Sequence, residues 1–204
     1  MNKDFRFFDS RQKYLLFVTT TNEKSIIADK ISTQIKYIKP KKPALKIFDA
    51  GVGDGTLLMS VLRSCHREFP NIPFLVIGKE ISMEDVRLSV EKLSDRFIEH
   101  PNMVFVVTNL HYAEAASLTS SNLKKQQHIN WETLKLYGNS SFEFNQHLSQ
   151  LDEMLNNNWQ VERHPRSGNP TYKLPSVLII YRQDYEFKLE KIYGLSKITF
   201  ILSN

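Results

Sequence analysis

At 204 residues, 41% apolar and 24% charged, the chain is long enough to bury one domain core, and no apolar run in it approaches a bilayer crossing. No secretory signal opens it, so the reading is of a cytoplasmic protein, and its one cysteine, Cys65, excludes a disulfide within a single chain. A formal charge of +5 admits a nucleic-acid partner without demanding one, and six scattered histidines form no zinc-ligand spacing, so no metal is indicated.

In chain order, Thr20-Thr-Asn-Glu23 has the form of a capping box. Ile27, Ile31, Ile35 and Ile38 then recur at helical spacing up to Pro40, which predicts an amphipathic helix leading into a sheet. The basic run Lys36–Pro43 that follows reads as a solvated connector more readily than as a binding patch. An apolar strand through Leu45, Ile47 and Phe48 then enters Asp49-Ala-Gly51-Val-Gly53-Asp54-Gly55-Thr56. Three glycines at alternate positions make a tight turn from strand to helix, where missing side chains let a ligand touch the backbone. The same turn also has a plain reading, as a sharp corner.

The helix after the turn carries Leu57, Leu58, Val61, Leu62 and Cys65 on one face, and Pro70 and Pro73 punctuate before the strand Phe74–Ile77. That strand ends in Gly78-Lys79-Glu80. A carboxylate there, about 20 to 30 residues past a glycine turn, can accept both ribose hydroxyls of an adenosine. Glu80 also reads as a helix-capping group. Ser82 caps the next helix, with Asp85 at its third position and Val86, Val90, Leu93 and Phe97 as its apolar stripe. The strand Met103–Val107 delivers Thr108, Asn109 and Leu110 to the same edge, where Asn109 is either a ligand contact or an ordinary turn residue. This alternation predicts a parallel sheet that binds at the carboxyl ends of its strands.

Beyond Asn109 the pattern loosens. Residues 117–130 read as a polar loop and Trp131–Leu136 as a short strand, while Phe144, Leu148, Leu151 and Leu155 describe a helix ended by Asn156-Asn-Asn158. Ser167–Pro170 is a turn, Val177–Tyr181 a buried strand, and Lys197–Leu202 a last strand.

The order Gly-x-Gly-x-Gly differs from the Gly-x-Gly-x-x-Gly of dinucleotide binders, and Asp54 is expected to repel a pyrophosphate, which argues against a nicotinamide-dependent oxidoreductase. The pattern Asp49-x-Gly51-x-Gly53-x-Gly55 instead resembles the glycine motif of class I S-adenosylmethionine-dependent methyltransferases, over about residues 20–110. The resemblance implies an α/β, Rossmann-like three-layer αβα sandwich with a mostly parallel sheet, incomplete at its C-terminal end. It also implies one domain over 1–204: a helical lead-in at 1–43, a cofactor-binding half at 44–110, and an insertion or substrate-side half at 111–204.

By the same resemblance the cofactor is S-adenosylmethionine, held by Asp49, Gly51, Gly53, Asp54, Gly55 and Glu80, with Asn109 as the adenine contact and the Asn22–Lys24 segment closing over the methionine end. For that last segment, simple capping and solvation is the alternative. Asn109-Leu-His-Tyr112 looks like the Asn-Leu-Pro-Tyr element of ribosomal-RNA adenine dimethyltransferases, with His in place of Pro and one strand too early. It leaves Tyr112 as a substrate-side candidate and tilts the acceptor slightly towards RNA or DNA, while Leu202–Asn204 could open the acceptor element itself. Catalytic residues are not legible. The alternative reading is a catalytically inactive Rossmann-like module that binds a protein or nucleic acid.

Overall fold

The computed structural model describes residues 21–165 and 168–193, together with Leu16. Its first half is a run of alternating elements: α1 (Glu23–Ile35), β1 (Leu45–Asp49), α2 (Thr56–Glu68), β2 (Phe74–Lys79), the helix pair α3 (Met83–Glu91) and α4 (Ser94–Glu99), and β3 (Met103–Thr108). These three strands are parallel and neighbours in sequence order, with Asp49 in register with Gly78 and Lys79 with Thr108. Both crossovers place their helices on one face of the sheet, as two connections of the same hand moving in the same direction must.

After β3 come α5 (Tyr112–Ala115), α6 (Leu123–Gln127), β4 (Asn130–Leu136), α7 (Ser141–Leu148) and α8 (Asp152–Asn158), the last two joined by a 3-10 turn. The hairpin β5 (Val161–Arg163) and β6 (Pro170–Tyr172) follows, then β7 (Ser176–Arg182) and α9 (Glu186–Tyr193). β7 lies antiparallel beside β3, and β4 pairs parallel with β7, so the five-stranded sheet has the order β1-β2-β3-β7-β4. The result is an α/β fold, a Rossmann-like αβα sandwich with a mostly parallel sheet.

Residue choice follows position in the sheet. β3 and β7 are buried at every residue, because both their faces are covered, and they read as continuous apolar runs. β1 has β2 as its one described neighbour, and its alternate residues Lys46 and Phe48 face outward. One face packs Leu58, Leu62, Val86, Val90, Phe97, Phe144, Leu155 and Trp159 onto Phe74, Val76, Phe105 and Val107. The other carries Ala115, Ile129 and Leu189 over Ile77, Val106 and Ile179.

Several local expectations are corrected. The isoleucine row of α1 does not face the core: Ile35 is buried, but Ile27 and Ile31 are each 37% exposed and Ile38 is 40% exposed. The helix instead turns Lys24, Ala28 and Ser32 inward, where the Ser32 and Ser64 hydroxyls lie 2.8 Å apart, because polar partners on α2 and the glycine turn select that side. Asn22 is the N-cap residue and makes no side-chain capping bond, while Thr20 lies outside the described residues. The stretch 117–130 is not all loop, because Asn122 caps α6 by accepting from the backbone N–H groups of Lys124 and Lys125. The helix capped by Ser82 does form, its hydroxyl accepting from Asp85 N, but it breaks between Glu91 and Ser94. Ser167, the strand expected at 197–202 and the element at 202–204 fall outside the described residues.

At the amino end of β2, away from the glycine turn, His66 and His100 are 5% and 1% exposed, with ring centroids 4.8 Å apart, both against Phe74. Burial, His100 and Arg96 push the His66 imidazole down to about 3, and burial pushes His100 down as well. Glu99 does not offset this, because its carboxylate is held by Arg96 at 2.6 Å while His66 Nδ1 stands 3.4 Å away. A depressed imidazole pKa contributes stability that is present above its unfolded value near 6.5 and is lost as pH falls towards the folded value. His66 alone is therefore expected to remove about 2 kcal/mol between pH 6.5 and pH 5. Urea titrations of the wild type and of His66→Leu across that interval should show a steeper decline in the wild type, and parallel declines would refute the assignment.

Candidate functional site

The expected residues meet at the carboxyl edge of β1 and β2. Asp49 ends its strand and its Oδ1 accepts from Gly51 N at 3.0 Å, which turns the chain out of the sheet. Val52 then comes back to donate to Lys79 O at 3.1 Å, so the turn lies along the end of β2. Gly53 and Gly55 have φ of +54° and +78°, the left-handed region that side chains resist. Nothing stands within 4 Å of where a Cβ would be at Gly51 or Gly53. At Gly55, which caps α2, a Cβ would come within 2.8 Å of both Cα and Cβ of Ser89 on α3. The first two glycines therefore leave the backbone open, and the third lets two helices meet.

Asp54 does not project a free negative charge. Its carboxylate accepts from Lys24 Nζ at 2.5 Å, from Thr56 Oγ1 at 2.8 Å and from Lys92 Nζ at 3.3 Å. Although burial works to raise its pKa, the Lys24 and Thr56 hydrogen bonds and the Lys92 charge hold it well below the usual carboxylate range. Two ammonium groups are drawn to this carboxylate, so Asp54 does not present the unopposed charge expected to repel a pyrophosphate. The case against a dinucleotide rests on the glycine spacing alone. Lys24 reaches the turn from α1 across 30 residues of sequence.

Glu80 anchors the turn. Its Oε2 accepts from Gly53 N at 2.9 Å, and its Oε1 accepts from Ile81 N at 2.7 Å and Ser82 N at 2.9 Å. Three backbone donors on about four lone pairs leave room for one further hydrogen bond, short of a two-point grip on a ribose. The capping alternative for Glu80 is thus present in the geometry, alongside one remaining acceptor position. The buried Trp159 indole donates to Glu80 O at 2.9 Å and fixes the segment from α8.

Asn109 is 1% exposed, and both the nitrogen and the oxygen of its amide are bonded within the protein. Nδ2 donates to Leu174 O at 2.9 Å and Asn158 O at 3.4 Å, while Oδ1 accepts from Ser176 N at 2.8 Å. Thr108 Oγ1 adds a bond to Ser176 O at 2.8 Å. These bonds latch the end of β3 to the start of β7. Tyr112, at the first turn of α5, is 64% exposed, with its ring 4.6 Å from Lys79 Nζ.

Above this edge the β5–β6 hairpin closes a cavity of about 390 Å³ lined by Lys79, Ile81, Asn109, His111, Tyr112 and Thr171 among others. Asp49 and the three glycines are not among its lining residues, so the turn and the cavity are adjacent features joined through the Lys79–Ile81 segment. Sequence reasoning gave no role to Lys79 or Trp159. For Lys79 a signal was present: Leu75, Ile77 and Lys79 share strand parity, which put a charge on a face otherwise apolar.

β4 runs opposite to β1–β3, so the residues after it, Tyr137–Ser140, emerge at the far rim of the sheet. Among the described residues no group of three His, Cys, Asp or Glu side chains is placed to hold a metal, and no helix is long and apolar enough to cross a membrane. No protein-family model matches the chain, and neither does any curated protein or solved structure.

Proposed function

We propose that the chain binds S-adenosylmethionine at the glycine turn and transfers its methyl group to an acceptor. The observation that carries this reading is the open backbone at Gly51 and Gly53, set between Asp49 and Glu80 at the ends of two parallel strands in register. A nucleoside with a cationic head and no phosphate suits a backbone cradle flanked by those two carboxylates. Gly51 and Gly53 would receive the amino-acid end by close approach, and the one free acceptor position on Glu80 would take a ribose hydroxyl. Bound there, the cofactor supplies a methyl group activated by its sulfonium. The protein's part is to hold the acceptor in line with that bond, which needs placement more than a dedicated base. The net charge of +5 supports RNA or DNA as the acceptor.

Position 51 gives a clean test, because a Cβ there would meet no protein atom within 4 Å and its φ is not positive. Gly51→Val is expected to unfold at the wild-type temperature and to lose S-adenosylhomocysteine binding in calorimetry. Glu80→Gln is expected to weaken binding less, since an amide keeps one oxygen for the backbone but turns a donor towards Gly53 N. Equal cofactor affinity in wild type and Gly51→Val would end the reading.

The second reading, a binding module without methyl transfer, is favoured by one feature: the loop after β4 lies on the opposite rim and brings no acceptor group to the turn. Cofactor binding with no labelled methyl passed to any component of a cell extract is the outcome expected of such a module.

A further inference from the structure

Lys79 is an unusual occupant of its position. It is 9% exposed, on the β2 face that carries Leu75 and Ile77, and it lines the cavity beneath the β5–β6 hairpin. Its ammonium sits 4.6 Å from the centroid of the Tyr112 ring, and among the described residues no carboxylate or carbonyl oxygen accepts a hydrogen bond from it. The neighbouring Glu80 attracts it from a distance but has given its oxygens to three backbone N–H groups. One aromatic ring is the close partner this ammonium has, and an opposite charge would hold it better. None of the residues lining the cavity is acidic, and His111 and His164 add ring nitrogens to it.

We propose that this cavity binds a small ligand through an oxyanion, a carboxylate or a phosphate monoester, with Lys79 as the counter-ion. At about 390 Å³ the space is within the range of small-molecule sites and suits one ring with its charged group. The anion would meet the Lys79 ammonium, beside the Tyr112 ring. Burial, which lowers the Lys79 pKa, turns into an advantage once an anion enters, because the pair attracts more strongly away from water.

The full chain is titrated by calorimetry with benzoate, phenyl phosphate and inorganic phosphate, with benzyl alcohol as the uncharged control, all without S-adenosylmethionine. Expected is binding of at least one anion, weakened roughly tenfold or more in Lys79→Met and retained in Lys79→Arg, with no measurable uptake of benzyl alcohol. A tighter complex with benzoate identifies a carboxylate ligand, and one with either phosphate compound a phosphate. Anion binding that is equal in wild type and Lys79→Met, or absence of any anion binding at millimolar concentration, would overturn the proposal. It does not rest on the methyl-transfer reading: Gly51→Val is expected to bind these anions as the wild type does.

Discussion

Gly55→Ala is expected to lower the unfolding free energy by about 3 kcal/mol or more, a large part of the 5–15 kcal/mol that holds a typical domain. Two effects add at this residue. A φ of +78° costs a residue with a side chain roughly 1–2 kcal/mol. The new methyl would also stand 2.8 Å from Cα and Cβ of Ser89, so α2 and α3 must separate, which costs about 1–3 kcal/mol in a packed interior. Ser89 is fully buried and its hydroxyl donates to Val86 O, so it has little freedom to retreat. Gly53→Ala is the control, because φ there is +54° with nothing within 4 Å, and only the backbone term of about 1 kcal/mol applies. Urea unfolding of both variants separates the terms. Adding Ser89→Gly to Gly55→Ala should restore part of the loss, and strict additivity of the two substitutions would show that the helices do not meet at this point.

The second large effect concerns Asn109→Ala. Removing the amide takes from Ser176 N its side-chain acceptor and leaves Leu174 O and Asn158 O sharing the Ser176 hydroxyl, 3.2 Å from each, in a site that is 1% exposed. At about 1–3 kcal/mol for a buried group left unsatisfied, and less for two carbonyls that keep a shared hydroxyl, the expected loss is about 2–3 kcal/mol. Asn109→Asp should fare no better, since a carboxylate keeps the Ser176 contact but faces two carbonyl oxygens that need donors. Melting temperature and S-adenosylhomocysteine affinity, measured together, decide what the residue does. A latch lowers the first in every variant. An unchanged melting temperature with reduced affinity would instead make Asn109 the adenine contact suggested by its place at the end of β3.

The first half of the fold was legible because each element from Glu23 to Thr108 carries its own local signal. The continuous apolar run of β3, the glycine turn and the Ser82 cap each follow from short-range rules. What escaped was decided by partners distant in sequence. The direction of β4 depends on β7, about 45 residues later, and no pattern within Asn130–Leu136 distinguishes parallel from antiparallel. The isoleucine row of α1 gave the correct period and the wrong face, because Lys24 and Ser32 find polar partners on the inner side. At the site, the placement of Asp54, Glu80 and Asn109 at the glycine turn and the strand ends was readable and their bonding was not: each is already bonded to its neighbours.

The Trp159–Glu80 and Asn109–Ser176 bonds span 79 and 67 residues of sequence. During synthesis, a nascent chain that has emerged through residue 150 possesses the glycine bend and the first three strands, but neither the indole that pins Glu80 nor the hairpin that roofs Lys79. The binding proposed at this rim therefore waits during synthesis until β7 slots in beside β3.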